Sequence, residues 1–155
     1  MELSVERPPY RSYAAIMGVF VGGLGTAGIV ARALDRDPQC HTALDFAVLS
    51  AASFKAARTL SHDEVTSFLR EPFVRGHAHG GGEEPVEGGF EQAIGELVTC
   101  SRCAGTWVAA VLAATQVVAP RFGRLLTWSL GAAAANDFLQ AGFSALAGKA
   151  NKLED

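Results

Sequence analysis

The chain alternates between long runs without charge and short stretches where charges crowd together. No charged side chain falls between Arg11 and Arg32 or between Arg102 and Arg121, and only Asp137 interrupts the run from Arg124 to Lys149. Each window is close to the ~20 apolar residues that carry a helix across a ~30 Å hydrocarbon layer. A helix on the surface of a soluble domain would show a charged face within such a window. The pattern predicts membrane-spanning helices over about 13–34, 94–119 and 125–147.

A fourth segment, about 42–60, carries Asp45, Lys55 and Arg58. Lys55 and Arg58 stand near its end, where long cations reach back to headgroups. A fourth span is expected there, against the alternative of an amphipathic helix lying in the interface. Ser61 followed by Glu64 reads as a capping box. It would open a short amphipathic surface helix with Val65, Phe68 and Leu69 on one face, stopping before Pro72. Residues 74–89, rich in glycine, glutamate and histidine, cannot bury a core and read as a flexible loop. The expected fold is all-α: a single integral-membrane domain over 1–155, built as a four-helix bundle with one short surface helix.

The first span is read as a signal anchor and not as a cleaved leader, because Arg32, Arg36 and Asp37 follow it like a stop signal and it lacks a short h-region followed by a clear A-x-A site. Lys/Arg bias sets orientation. One side would hold Arg7, Arg11, Arg70, Arg75, Lys149 and Lys152, the other Arg32, Arg36, Arg121 and Arg124. This predicts a multi-pass protein of the bacterial inner membrane with both termini cytoplasmic. Cys40 would then lie across the bilayer from Cys100 and Cys103.

Composition agrees with this picture. The 155 residues suffice for one domain, and the chain is 49% hydrophobic and 19% charged, where soluble domains carry about a quarter charged residues. The net charge of -3, with no basic run interleaved with aromatics, argues against nucleic acid as a partner.

The candidate chemistry begins with the C-x-x-C pair, Cys100 and Cys103, which helical spacing places one turn apart on one face. A helix start and Arg102 would both lower a thiol pKa, which suits a redox pair. Two small, soft side chains packing against a neighbouring helix is the competing reading. Metal is the third: zinc needs four ligands, and His77 and His79, or His62, would have to join the two cysteines.

Lys55, Arg58, Asp63, Arg70 and Glu96 form a second set, expected at the cytoplasmic face. A Glu96 ion pair with Arg58 or Lys55 would make both tolerable at that depth. The set reads either as an anion or headgroup pocket or as interfacial anchoring. Asp137, with Asn136 and Gln140 on neighbouring positions, is an intramembrane polar group, and such groups mark ion or proton sites or interhelical hydrogen bonds. Gly18-x-x-x-Gly22 would let another helix approach closely, though glycine is also common in membrane helices generally. Gly23-x-Gly25-x-x-Gly28 matches the dinucleotide fingerprint but lacks the βα units that it requires. No Walker loop, no H-E-x-x-H and no supported Ser/His/Asp order is present.

From Ala52 to Trp107 the chain resembles a family of small bacterial membrane proteins of unknown function, some labelled sporulation proteins. The resemblance rests on Phe54-Lys55-x-x-Arg58, then Asp63-x-x-Thr66-x-x-x-Arg70-x-Pro72-Phe73, and after a variable loop Gly95-Glu96-Leu97-x-x-Cys100-x-x-Cys103-x-x-x-Trp107. It implies an all-helical, membrane-embedded protein and brings no established activity, cofactor or catalytic residue. The chain departs from the pattern at Lys55, where Arg is usual, and at Ser101 and Arg102, where an aromatic or proline often stands. The expected function is a non-enzymatic accessory or interaction subunit, acting with membrane lipid as a homo-oligomer or within a membrane complex. A thiol-redox or metal-responsive protein using the cysteine pair, and a small oligomeric transporter or channel using Asp137, are the alternatives.

Overall fold

Leucine, valine, alanine and phenylalanine fill the uncharged runs, and these runs form the long helices of a computed structural model that describes residues 9–36, 42–76 and 82–154. Helix α1 covers Tyr10–Ala33, 24 residues or about 36 Å at 1.5 Å per residue. It is the one single helix among the described residues that is long and apolar enough to cross a membrane. It closes in a Schellman arrangement: the Asp35 N–H returns to the Arg32 carbonyl and the Arg36 N–H to that of Ala31. Asp35 takes the left-handed turn that glycine usually fills, at φ 51°.

Helix α2 covers Ala43–His62. Its start is fixed by a reciprocal capping box in which Thr42 Oγ1 accepts the Asp45 N–H at 3.2 Å and Asp45 accepts the Thr42 N–H at 3.0 Å. The capping box expected at Ser61 is not formed. Ser61 is buried in the last turn of α2, and the chain after it makes a 3-10 turn at Glu64–Thr66, a four-residue helix α3 at Ser67–Arg70 and a second 3-10 turn at Glu71–Phe73. The expected amphipathic helix is thereby reduced to a single α-helical turn. Ser61 stays within α2 and so does not take the non-helical conformation that an N-cap needs.

Residues 74–89 also differ from the expected loop. Val74–Arg75 (β1) pairs antiparallel with Glu84–Pro85 (β2), Val74 opposite Pro85, and Val74 is buried. The expected loop is thus pinned at both ends; residues 77–81, with His77 and His79, lie outside the described residues.

Helix α4, Gly89–Thr99, and helix α5, Ser101–Val118, replace the single helix expected there. Their axes meet at 85° across Cys100. The bend lays α4 against the β1–β2 ribbon, where the Phe73 carbonyl and Pro85 fill the space that a side chain at position 95 would need. Only glycine permits that approach. Helix α6 begins at Pro120, earlier than expected, and runs 35 residues to Glu154. Proline suits a first helical position because its missing N–H would find no partner there.

Helix directions follow from the pairs in contact. Gly131 lies on Val48, and Lys55 and Phe54 meet Asp137 and Phe138, so α2 and α6 run parallel. The α5–α6 hairpin is antiparallel: Gln116 Nε2 donates to Thr127 Oγ1 at 2.9 Å, and Gly123 presses on the Gln116 backbone. Phe20 packs edge-on against Trp107 with ring centroids 4.9 Å apart, and Arg36 donates to the Val118 carbonyl, so α1 runs alongside α5. One end of the bundle therefore gathers the start of α1, the end of α2, the start of α5 and the α3–α4 platform.

The interior of this bundle is made mostly of small residues, with Leu112 and Thr127 buried alongside them. Ala31, Ala52, Ala57, Ala93, Ala104 and Ala134 are buried, while Val19, Ile29, Phe46, Phe122, Leu139 and Phe143 are exposed.

Candidate functional site

The end of α2 is closed by Arg70, which is fully buried. Its guanidinium donates to the Leu60 carbonyl at 2.7 Å, the Asp63 carbonyl at 3.1 Å and Thr66 Oγ1 at 2.9 Å. Thr66 Oγ1 in turn donates to the Thr59 carbonyl at 2.6 Å. The last carbonyls of a helix have no partners within it, and here an arginine and a threonine supply them. The charge is balanced by Glu83, which accepts from Nε at 2.7 Å and from Nη2 at 3.2 Å, the two-pronged geometry that arginine favours. The Asp63-x-x-Thr66-x-x-x-Arg70 spacing is thus the framework of a helix terminus. Arg70 is shut away from solvent with its Nε and Nη1 donors committed, so it does not share an anion pocket with Lys55 and Arg58.

The polar set expected at one face is divided. Lys55 Nζ pairs with Asp137 Oδ2 at 2.8 Å, joining α2 to α6. Glu96 does not pair with Lys55 or Arg58; it accepts from the Tyr13 hydroxyl and, at 3.0 Å, from Gln92 Nε2. Arg58 is exposed on α2, and Asn136 and Gln140 are exposed on α6. Gly18 and Gly22 are exposed on α1, with no atom of this chain within 4 Å of a side chain built there.

A concave site lies at the α4–α5 corner. A cavity of 310 Å³ is walled by Tyr13, Ile16 and Met17 of α1, Glu96 and Leu97 of α4, and Cys103, Thr106 and Trp107 of α5. Its walls are mostly apolar, with the Glu96 carboxylate and the Tyr13 hydroxyl as its polar pair. Of the resemblance motif, Glu96, Leu97, Cys103 and Trp107 line it. The sequence alone offers no sign of Tyr13 here, because it meets Glu96 only when α1 packs against α4, whereas Gln92 stands one turn before Glu96 on α4 itself.

Cys100 sits at the corner itself, in an extended conformation ahead of α5. Its sulfur accepts the Cys103 N–H at 3.3 Å and so caps the helix. The Cys103 thiol, the Cys103 N–H and the nearby Arg102 together hold the Cys100 thiol below its ordinary pKa, against a smaller opposing effect of burial. Both thiols are free, Cys103 exposed and Cys100 half-buried. No three His, Cys, Asp or Glu side chains come together as metal ligands among the described residues. His77, His79 and Cys40 lie outside those residues, and His62 is exposed at the end of α2.

The chain belongs to a family of unknown function: a family model described as protein of unknown function (DUF1360) matches residues 48–143. The match runs from the first turns of α2 well into α6, taking in the Arg70 cap, the cysteine pair and the Lys55–Asp137 link, and leaving α1 outside. No curated protein and no solved structure matches the chain.

Proposed function

We propose that this chain is a multi-pass protein of the bacterial inner membrane in which α1, α2, α5 and α6 cross the bilayer, and that it serves as a non-enzymatic interaction subunit. The observation that carries this reading is the inverted distribution of side-chain size. Alanines fill the interior while Phe122, Phe143, Leu139 and Ile29 face outward. In water an exposed apolar surface of that extent would drive aggregation. Against lipid it costs nothing, and small residues at helix contacts are what close packing there requires. In this placement α4 lies along the interface at the cytoplasmic side, and Cys100 sits at the mouth of the α5 span.

Two features favour interaction over transport or catalysis. Asp137, the acid that a proton or cation pathway would use, is neutralised by Lys55. The open Gly18 and Gly22 face of α1 offers a second copy or a partner helix a close approach.

The test is fractionation of cells expressing the full chain, followed by alkaline carbonate extraction and activity of a reporter fused after Asp155. Retention in the membrane with a reporter active on the cytoplasmic side is expected. Release into the soluble fraction, or a reporter active only outside, would overturn the placement.

A further inference from the structure

We infer that Cys100 and Cys103 form a dithiol redox centre, oxidised to an intrachain disulfide by thiol–disulfide exchange with Cys100 as the attacking sulfur. The pair does not behave as packing. Neither cysteine belongs to the buried interior, and Cys103 is exposed. The Cys100 sulfur is already turned onto the first turn of α5, where it accepts the Cys103 N–H at 3.3 Å, within one helical turn of the second thiol. The positive end of an 18-residue helix and Arg102 both favour negative charge on the sulfur at position 100. The 310 Å³ cavity beside Cys103 leaves space for a reactant at the corner.

The co-reactant is a disulfide, R–S–S–R. The Cys100 thiolate attacks one of its sulfurs, forming a Cys100–S–S–R bond and expelling one thiolate, which takes a proton from solvent. Cys103 then loses its proton, and its sulfur attacks the Cys100 sulfur, displacing the second thiolate. Two protein thiols give up two electrons, and one disulfide becomes two thiols. This chemistry needs no bilayer, so it can fail while the membrane placement stands, and the reverse.

The probe is glutathione disulfide, applied to the full-length protein carrying Cys40→Ser so that two cysteines remain. After equilibration at graded ratios of reduced to oxidised glutathione, free thiols are counted by maleimide mass shift. Both thiols are expected to vanish together in one two-electron transition, with no retained glutathione. Adding Cys103→Ser should trap one glutathione on Cys100, and adding Cys100→Ser should trap far less on Cys103. Independent loss of the two thiols, a stable glutathione adduct on each, or full maleimide labelling at every ratio would overturn the inference. So would stoichiometric bound zinc that protects both sulfurs.

Discussion

Arg70 and Glu83 are joined by two hydrogen bonds, Nε to Oε2 at 2.7 Å and Nη2 to Oε1 at 3.2 Å, across a stretch that the sequence marks as polar and glycine-rich. The arginine is shut away from solvent and the glutamate nearly so, with side-chain exposures of 1% and 12%. The pair therefore ties the β1–β2 ribbon to the end of α2, and the Glu83 charge is what allows a guanidinium to serve three backbone and hydroxyl acceptors in the interior.

Removing one partner of such a pair leaves a buried charge unmatched, at about 3–5 kcal/mol. Glu83→Ala should destabilise the protein by that order, read as loss of helical signal at lower temperature in detergent. Arg70→Lys should rescue little of what Arg70→Ala loses, because a lysine ammonium cannot span the Leu60, Asp63 and Glu83 acceptors at once. An Arg70→Lys protein as stable as the parent would show that charge alone, not the fork, closes α2.

The Lys55–Asp137 bridge distinguishes water from lipid. Its side-chain exposures are 23% and 44%, and in water a pair that open couples by only about 0.2–1 kcal/mol. In hydrocarbon a lone charge costs about 2.5–3.5 kcal/mol on the insertion scale. Asp137→Asn and Lys55→Met are each expected to destabilise the bilayer-reconstituted protein by more than 2 kcal/mol, roughly the lower bound of that scale. The double variant should recover most of the loss. Single-variant losses within the aqueous range would place this level of the bundle in water.

Gly123 and Gly22 should respond in opposite ways. A Cβ at Gly123 would stand 2.6 Å from the Gln116 backbone, and neither α5 nor α6 can retreat along a hairpin joined through Ala119 alone. Gly123→Ala should cost about 1–3 kcal/mol, as overpacking does. Gly22→Leu meets open space within this chain. It should leave monomer stability unchanged and weaken self-association in detergent, measured by analytical ultracentrifugation. Unchanged association would show that another face carries the contact.

Tyr13→Phe isolates the corner between α1 and α4. The hydroxyl donates to the Glu96 carboxylate. A lower melting temperature is expected, with a shift in Trp107 emission in a Trp128→Phe background, because Phe20 of α1 packs against the Trp107 ring. An unchanged spectrum and melting point would mean that α1 is held by apolar contact alone.

The helices themselves were legible in the sequence, because their signal is local. A run without charge from Arg11 to Arg32 or from Arg102 to Arg121 leaves a chain few ways other than helix to satisfy its backbone, and α1, α5 and α6 occupy these runs. The cysteine pair was equally visible by spacing. What the sequence could not carry were relations between distant segments. The expected Glu96 partners were Lys55 and Arg58, chosen by nearness in charge pattern, whereas register places Lys55 on Asp137 and Glu96 on Tyr13. The capping box at Ser61–Glu64 fits every local rule, yet Ser61 stays inside α2, whose last carbonyls are taken by Arg70 and Thr66 from ten or fewer residues away. The 85° break at Cys100 likewise has no local breaker, neither proline nor a pair of glycines. At the break Gly95 of α4 lies on the Phe73 carbonyl while Cys100 caps the start of α5. Hydrophobic pattern thus determined that this chain is helical and where its long helices fall, since that depends on each residue and its near neighbours. The partners of its charges and the corner that shapes its cavity were decided only by tertiary packing, since they depend on which helices touch and at what register.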